Sequence, residues 1–307
     1  MKIAILGSTS QIAKDLILNF YKSTNYDLSL FVRNVELMES WMCNQNLSNQ
    51  YRVGTYAEFN SDIFYDVIIN FVGAGDPAKI QKIEHEIVAI TEQYDNMVLE
   101  YIKRHNRTKY IFLSSGAVFG GDYQSPVNEN TSIDADNSSG SLGRYVVAKQ
   151  SAEKKHRALT NLSIVDIRVF NYFSHTQDTE ARFLISDIVR ALKNKEVFNT
   201  SSDDVVRDFI TPIDFCNLIQ SIIDFKPINI TVDCYTKLPV SKFDLLLKLK
   251  EEFGLQYCIN KDTDFINPTG FKLNYYSTNR AAEALGFIPS YTALDGIVEE
   301  IKLMQFD

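Results

Sequence analysis

Cysteine and glycine are scarce in this chain of 307 residues, and no long apolar run occurs. The four cysteines, Cys43, Cys216, Cys234 and Cys258, contain no C-x-x-C pair, which argues against a zinc cluster and against a disulfide framework. No stretch reaches the roughly 18 consecutive apolar residues that a membrane-spanning helix needs. We therefore expect a soluble protein of the reducing cytoplasm with no membrane partner.

Positive charge is also in short supply, because 31 Lys and Arg residues face 39 Asp and Glu residues, for a formal net charge of -8. That balance excludes a general affinity for nucleic acid, although it leaves room for a local basic pocket that binds a phosphate. None of the four histidines belongs to a metal-ligand pattern, so we assign no metal. A content of 45% hydrophobic residues suits one large or two modest globular domains.

Short apolar runs alternate with amphipathic helical patterns through the first half of the chain. The strand-like runs lie at 2–6, 28–32, 65–72, 109–114 and 162–170. The helical patterns lie at 10–22, 34–44, 79–106 and 144–160. Continuous apolar strands separated by such helices predict an α/β fold with a doubly wound parallel sheet, covered on both faces.

After about residue 170 this alternation loosens, with helical patterns near 182–194, 212–223 and 240–252. We predict two domains, a dinucleotide-binding domain over 1–169 and a smaller C-terminal α/β domain over 170–307 that binds the substrate. Some segments of the second domain can return to the first sheet. The polar stretch 122–142 reads as a long loop, a type of segment that is often functional.

The opening stretch KIAILGSTSQIAKDL has the pattern of a strand, a turn and a helix. In a Rossmann-type fold this turn holds the pyrophosphate of a dinucleotide against free N–H groups at the helix N-terminus. Only one of the usual glycines is present, since Ser10 and Ala13 stand in place of the others, and a plain turn with a serine cap is the alternative. The predicted cofactor contacts of the turn are Gly7, Thr9, Ser10, Gln11 and Ile12.

The second strand ends in FVRN, with Arg33 where an enzyme that uses NAD usually has a carboxylate for the ribose 2′-hydroxyl. An arginine at this position can accept a 2′-phosphate instead. A solvated surface arginine is the alternative interpretation. Arg33 therefore favours NADP(H) over NAD(H) as the cofactor.

Tyr145 and Lys149 in GRYVVAKQ share one face of a predicted helix. An ammonium group beside a phenol stabilises the phenolate, so Lys149 is expected to lower the pKa of Tyr145 from about 10 and make it an acid–base catalyst. Such pairs also arise by chance, and the specific signal comes from IFLSSGAVFGG. This segment places Ser115 at the carboxyl end of a predicted strand, where open α/β sheets bind ligands.

The glycine-poor turn, SSGAVFG, YVVAK, RDFITPIDF and LGFIP occur in the order and approximate spacing of the extended short-chain dehydrogenase/reductases. The chain resembles this family of nucleotide-sugar epimerases, dehydratases and reductases over nearly its whole length. The resemblance implies a nicotinamide cofactor, a nucleotide-diphosphate sugar as substrate, and a homodimer. In that dimer the helix over 79–106 and the Tyr145 helix form a four-helix bundle between the subunits.

The resemblance also implies the roles of single residues. SSGAVFG is similar to the motif S-S-x-x-V-Y-G, with Phe119 in place of the usual tyrosine, and YVVAK matches Y-x-x-x-K. The implied catalytic residues are Ser115, Tyr145 and Lys149, and Lys149 also holds the nicotinamide ribose. Further implied cofactor contacts in NFVGAG, a variant of the usual motif, are Phe71, Val72 and Gly73. The implied substrate contacts are Ser115, Ala117, Tyr145, Asn171 and Arg207.

The 4,6-dehydratases of this family place an Asp-Glu pair directly after the catalytic serine or threonine, where this chain has Gly116 and Ala117. We therefore predict an NADP(H)-dependent reductase of a 4-keto (deoxy) nucleotide sugar, with hydride transfer at C4 and Tyr145 as acid or base. A NAD-dependent nucleotide-sugar 4-epimerase is the alternative, and a non-catalytic nucleotide-binding protein is a third. We interpret His175 as a loop residue without a catalytic role.

Overall fold

The computed structural model describes residues 1–59, 62–73, 85–121, 123–133, 140–181, 183–260 and 272–304, with only the backbone of 140–142. Eight α-helices lie within these ranges: α1 (Gln11–Ser23), α2 (Val35–Asn44), α3 (Ile87–Arg104), α4 (Gly140–Ala158), α5 (Leu184–Asn194), α6 (Pro212–Asp224), α7 (Lys242–Phe253) and α8 (Ala293–Leu303). No described helix is both long and apolar enough to cross a membrane.

The strands fall into one large sheet and several small ones. The large sheet is formed by β1 (Lys2–Leu6), β2 (Asp27–Val32), β3 (Arg52–Thr55), β4 (Val67–Asn70), β5 (Lys109–Ser115), β6 (Ile164–Val169) and β11 (Asn229–Asp233). The small sheets are formed by β7 (Asn171–Tyr172), β8 (Val197–Ser201), β9 (Val206–Arg207), β10 (Phe209–Ile210), β12 (Val240–Ser241), β13 (Gln256–Asn260) and β14 (Asn274–Tyr275).

The large sheet is parallel throughout, with the strand order β11-β6-β5-β4-β1-β2-β3. Helices α1, α2 and α6 pack on one face, and α3 and α4 pack on the other. This arrangement confirms the predicted doubly wound Rossmann-type fold. The strand order reverses between β1 and β4, and ligands of such sheets bind at the carboxyl ends of the strands at that point.

The first strand and helix follow from their sequence. Every residue from Ile3 to Leu6 is fully buried between the two helical layers, which suits a continuous apolar run. Helix α1 then begins after Ser10, whose hydroxyl accepts a hydrogen bond of 3.3 Å from the backbone N–H of Ala13. This serine cap fixes the start of the helix directly after the turn at Gly7.

Two strands of the large sheet were not predicted. Strand β3 has the sequence RVGT and lies at the edge of the sheet, so it lacks the continuous apolar run of a central strand. Strand β11 comes from the C-terminal half of the chain and pairs with β6. The helix predicted over 79–106 is observed as α3, and residues 79–84 lie outside the described ranges.

Helix α6 and residues 282–287 of the C-terminal half join the core of the large sheet, whereas α5, α7 and α8 pack around a separate apolar core. The small sheets β12-β9-β14, β13-β8 and β10-β7 belong to this half, apart from the large sheet. They bring Arg207 of β9 and Tyr275 of β14 side by side as partners in one ladder. The division into domains over 1–169 and 170–307 stays a prediction.

Candidate active site

The turn between β1 and α1 lies against the end of β4. Gly7 has a φ of +74°, and a Cβ atom there would lie 2.8 Å from the carbonyl carbon of Phe71 and 2.8 Å from the nitrogen of Val72. Only glycine avoids both the strained backbone and this clash. The turn therefore lies beside Phe71 and Val72, two of the other residues predicted to contact the cofactor.

The residues at and just before the start of α1 form the rim of a crevice at the carboxyl ends of β1 and β4. Thr9, Ser10, Gln11 and Ile12 are all half-buried there. The side-chain amide of Gln11 donates to a carboxylate oxygen of Asp15 at 3.2 Å and also contacts Ser174 and Thr176 of the C-terminal half. The structure thus brings the predicted turn residues together, and the side-chain amide of Gln11 forms its hydrogen bonds with other residues of the protein.

Arg33 is exposed directly after β2, as expected for a side chain that reaches a ribose. Tyr56, which sequence analysis missed, lies near it. Burial, followed by the neighbouring Tyr94, raises the pKa of the Tyr56 phenol to about 12, whereas Arg33 and a hydrogen bond with the backbone of Gly7 lower it. In the sequence, Tyr56 is marked only as an aromatic residue directly after a short strand. In the structure, that position lies at the edge of the sheet formed by the carboxyl ends of the strands.

Gly73 connects this crevice with α4. A Cβ atom on Gly73 would lie 3.5 Å from the Nζ atom of Lys149. The ammonium group of Lys149 also donates a hydrogen bond of 2.7 Å to the carbonyl oxygen of Leu113 in β5. The end of β4, the end of β5 and the Tyr145 helix therefore meet at Lys149.

Ser115, Tyr145 and Lys149 converge at the carboxyl end of β5, and all three are buried. The Ser115 hydroxyl accepts a hydrogen bond of 3.2 Å from the backbone N–H of Ala117, in the 3₁₀ turn Gly116–Phe119. The Nζ atom of Lys149 lies 5.9 Å from the centre of the Tyr145 ring. The spacing read from the sequence thus produces a compact group of one hydroxyl, one phenol and one amine.

Burial shifts the pKa values of Tyr145 and Lys149 towards their neutral forms. Burial raises the pKa of Tyr145, and a hydrogen bond with Ser115 opposes that change. Burial lowers the pKa of Lys149 to about 8, against the opposing influence of Asp95, Glu153 and Asp166. Lys149 therefore carries its proton below about pH 8, and the stabilisation of the Tyr145 phenolate by that charge stays a prediction.

A second tyrosine, Tyr275 of β14, also lies beside Ser115. Burial raises its pKa, a hydrogen bond with Ser115 lowers it, and the nearby Tyr145 raises it. The ring of Tyr275 packs against Phe170, with ring centres 5.2 Å apart. Sequence analysis assigned substrate binding to residues 170–307 but did not identify Tyr275, because LNYY matches no motif.

Two cations flank Tyr275. The Nζ atom of Lys272 lies 4.1 Å from the centre of the Tyr275 ring, and the guanidinium carbon of Arg207 lies 5.9 Å from it. Burial, with a smaller contribution from Arg207, lowers the pKa of Lys272 to about 8, and burial lowers the pKa of Arg207 to about 10. Within the described ranges Arg207 donates to the carbonyl oxygens of Val206 and Leu273 and forms no ion pair. The pair can therefore receive an anionic group.

Asn171 does not present its amide to the crevice. Its Nδ2 atom lies 3.2 Å from the carbonyl oxygen of Asp208 and 3.3 Å from that of Tyr275. Asn171 thus holds β10 and β14 in place, and the predicted contact with the substrate is not evident in this geometry. His175 is also engaged, because its Nδ1 atom lies 2.7 Å from a carboxylate oxygen of Glu300, which raises the pKa of the imidazole.

Phe170 fills the space beside Gly116. A Cβ atom on Gly116 would lie 2.4 Å from a ring carbon of Phe170. Any side chain at position 116 must therefore displace that ring. Ala117, the next residue, is buried as well. Among the described residues, no group of three or more His, Cys, Asp and Glu side chains is placed to hold a metal ion.

Comparisons with known proteins agree with this geometry. The model of the NAD dependent epimerase/dehydratase family matches residues 3–230. UDP-glucuronic acid 4-epimerase from Bacillus cereus, solved with UDP-glucuronic acid and NAD, has 17% sequence identity and a TM-score of 0.79, and the match covers 99% of each chain. UDP-glucose 4-epimerase from Bifidobacterium longum, solved with NAD+ and UDP, has 18% identity and a TM-score of 0.73, covering 99% of this chain and 98% of that chain.

A dehydratase is similar too. The dTDP-glucose 4,6-dehydratase from Bacillus anthracis, solved with NAD, has 16% identity and a TM-score of 0.75, covering 98% of this chain and 96% of that chain. No curated protein matches the sequence significantly. At these identities the solved structures establish the fold, whereas the family match over residues 3–230 establishes descent and supports a nicotinamide cofactor. The chain therefore belongs to the NAD-dependent epimerase/dehydratase family, as its resemblance to the extended short-chain dehydrogenase/reductases predicted.

Proposed function

We propose that the protein catalyses hydride transfer at C4 of a sugar carried on a nucleoside diphosphate. The observation that carries this proposal is the convergence of Ser115, Tyr145 and Lys149 at the carboxyl end of β5, with Gly73 in contact with Lys149. Gly73 joins this group to the turn at Gly7, so a hydride carrier bound along the crevice would end beside Tyr145.

The residues present fit a nicotinamide dinucleotide. Gly7 keeps the turn free of a Cβ atom that would strike the end of β4, and the start of α1 offers backbone N–H groups to a pyrophosphate. Lys149 would hold the nicotinamide ribose, beside Phe71, Val72 and Gly73. The cofactor, when bound, supplies or accepts the hydride.

The side chains of the chain then handle the proton and the sugar oxygen. Ser115 donates a hydrogen bond that polarises the C4 carbonyl, and Tyr145 gives its proton to that oxygen during reduction or takes it back during oxidation. Arg207 and Lys272 bind the diphosphate, since both are cations without a carboxylate partner within the described ranges. Asn171 and Ala117 support this surface through the backbone contacts described above.

Reduction of a 4-keto sugar by NADPH is the first of two candidate reactions. It is supported by Arg33, an exposed guanidinium at the end of β2, where a 2′-phosphate would lie. The second candidate is NAD-dependent 4-epimerisation, which is favoured by the structural similarity to 4-epimerases solved with NAD. Both reactions use the same three catalytic residues. Dehydration is disfavoured, because Phe170 occupies the space that an aspartate at position 116 would need.

The test is to mix the purified protein with a 4-keto-6-deoxy nucleotide sugar and NADPH and to follow absorbance at 340 nm. Loss of absorbance supports the reductase. Interconversion of a 4-epimer pair without added cofactor, and no loss of absorbance with any keto sugar, supports the epimerase instead.

Tyr145→Phe should lower turnover by about 10²- to 10⁴-fold with nearly unchanged cofactor affinity. Turnover that survives this substitution would reject Tyr145 as the acid or base. A wild type that binds cofactor but turns over no sugar would instead support the third interpretation, a non-catalytic nucleotide-binding protein.

We also propose a cytoplasmic homodimer. The supporting feature is the pair of adjacent helices α3 and α4, which the family pattern assigns to a four-helix bundle, with Val147 exposed on the outer face of α4. Light scattering at micromolar concentration should give twice the monomer mass, and Val147→Asp should shift the protein toward monomer. A monomeric wild type would reject the dimer.

A further inference from the structure

Three ionisable side chains form a buried charge cluster under the Tyr145 helix: Asp95 of α3, His156 of α4 and Asp166 of β6. The Nδ1 atom of His156 lies 2.6 Å from a carboxylate oxygen of Asp166, and its Nε2 atom lies 2.7 Å from one of Asp95. All three side chains are 0% exposed. These carboxylates raise the pKa of His156 to about 9 against the effect of burial, so the imidazole carries a proton at neutral pH.

The cluster carries more negative than positive charge in its buried part, with two carboxylates and one imidazolium. Lys155 reaches the second oxygen of Asp95 at 3.0 Å, and Arg157 reaches that of Asp166 at 2.9 Å. Both of these cations are about one third exposed, with side-chain exposures of 34% and 32%, so water screens part of their charge. No residue of the cluster takes part in the proposed reaction.

The cluster lies close to Lys149. Residues 149, 153 and 156 recur at the spacing of one helix face on α4. The ring of Phe112 contacts both ends of this face, with its centre 4.4 Å from the Nζ atom of Lys149 and 5.2 Å from the centre of the His156 ring. Phe112 is fully buried, so no water there screens the net charge of the two carboxylates and the imidazolium at Lys149.

We propose that the buried charge cluster keeps Lys149 protonated while the protein works, which makes Asp95 and Asp166 positioning residues for the proton transfer between Tyr145 and the substrate. This inference rests on the proposed function. A protonated Lys149 has three N–H donors, of which one serves the carbonyl oxygen of Leu113, and two remain for the ribose and for the side of Tyr145. Its charge also stabilises the phenolate that forms when Tyr145 gives up its proton.

Glu153 cannot supply this effect alone. It lies between Lys149 and His156 on α4, but Arg168 binds it at 2.6 Å and so offsets its charge. Burial has the largest effect on the pKa of Lys149 and lowers it, whereas Asp95, Glu153 and Asp166, in that order, raise it. Within the described ranges, the ionisable groups around Lys149 and the cluster are Tyr145, Glu153, His156, Lys155 and Arg157 of α4, Asp95 of α3, Tyr110 of β5, and Asp166 and Arg168 of β6.

The protonation of Lys149 can be measured without any substrate. Protein labelled with ¹⁵N at the lysine Nζ positions gives one NMR signal per buried lysine, and Lys149→Gln identifies the signal of Lys149 by its loss. We expect a titration midpoint at about pH 8 in the wild type. The double variant Asp95→Asn/Asp166→Asn, in which His156 also loses the carboxylates that hold its proton, removes the net negative charge of the cluster and should lower that midpoint by about half a pH unit or more. Glu92→Gln, which removes one negative charge at an exposed position one turn before Asp95, should leave it unchanged.

A substitution of opposite sign separates electrostatics from general damage. Lys155→Gln removes a positive charge from the rim of the cluster and should move the midpoint to higher pH, whereas a disturbed fold would not reverse direction between variants. Should the double aspartate variant fail to fold, Lys155→Gln carries the test alone. Midpoints that match the wild type in the folded variants would overturn the proposal.

Turnover then tests the second half of the inference. The pH at which the turnover of a nucleotide sugar declines on the alkaline side should move in the same direction as the NMR midpoint in each variant. A shifted midpoint in a protein without turnover rejects the proposed function and leaves the electrostatic coupling intact. A shifted midpoint with an unshifted rate profile would overturn the role of Asp95 and Asp166 in proton transfer.

Discussion

The ring of Phe170 lies where a side chain at position 116 would stand, with 2.4 Å between a ring carbon and the Cβ position of Gly116. The ring is itself held between Phe119 and Tyr275, so it has little room to withdraw. Gly116→Ala should therefore lower the free energy of unfolding by roughly 1–3 kcal/mol, the usual cost of overpacking. Urea denaturation measures this change.

Gly121→Ala is the matched control for that prediction, because among the described residues a Cβ atom there meets only the nitrogen of Tyr123, at 4.0 Å. Combining Gly116→Ala with Phe170→Leu should recover part of the lost stability. Equal losses at positions 116 and 121 would show that Phe170 does not restrict this turn.

The turn at Gly7 offers a comparison of two glycines with the same backbone conformation. Gly7 and Gly254 both have a φ of +74°, but a Cβ atom at Gly254 would meet no atom of the described ranges within 4 Å. Gly254→Ala should cost about 1–2 kcal/mol of stability, the backbone term alone, and leave cofactor affinity unchanged. Gly7→Ala should cost more and abolish measurable cofactor binding, because the end of β4 must move. Fluorescence titration with NADH and NADPH measures cofactor affinity, and urea denaturation measures stability. Equal losses in the two variants would show that the clash at position 7 is unimportant.

The proposed preference for NADPH rests on Arg33. Arg33→Ala should raise the Kd for NADPH about tenfold, which corresponds to about 1.4 kcal/mol, because one charged contact with the 2′-phosphate is lost. The Kd for NADH should stay within about twofold of the wild type. Calorimetric titration of both cofactors into both proteins gives the four constants. Equal losses for NADH and NADPH would argue against a 2′-phosphate site, and a wild type that prefers NADH would remove the reason for the reductase.

The pH dependence of stability should show the contribution of His156. Its folded pKa of about 9 exceeds the ordinary value of 6.5, so its contribution is complete below pH 6.5 and disappears as the pH rises through 9. Lys149, with a folded pKa of about 8 below its ordinary value of 10.5, acts in the opposite sense, mainly above pH 8. Between pH 6.5 and 8 the wild type should therefore lose roughly 1–2 kcal/mol more stability than His156→Gln. Urea denaturation at several pH values tests this, and parallel curves for the two proteins would contradict it.

Much of the central sheet could be predicted from its sequence, because fully buried parallel strands are continuous apolar runs. Strand β3 could not, since an edge strand such as RVGT buries too little to need that pattern. The convergence of Ser115, Tyr145 and Lys149 also followed from a short motif on adjacent elements. Tyr275 could not be assigned, because it reaches Ser115 from a strand about 160 residues later along the chain.

The protonation of Lys149 is a second feature that sequence alone could not supply. The spacing to Tyr145 predicted a charged neighbour that lowers the pKa of the phenol, but burial lowers the pKa of the amine itself. How far it falls depends on Asp95 and Asp166, which lie on α3 and β6. Because these two residues are distant from position 149 in the sequence, their interaction with Lys149 arises only when the elements that carry them pack against α4.

Strand β11 closes the large sheet from the far side, where Asn229–Asp233 bond along the whole of Ile164–Arg168. A gene fragment that stopped before residue 229 would leave the backbone of β6 unpaired along a buried apolar edge, ready to recruit strands from other molecules. The N-terminal and C-terminal halves of the chain are therefore joined in one cooperative unit. Recombination that exchanges the C-terminal half for that of a relative must keep β11 with the N-terminal half, or the hybrid will aggregate.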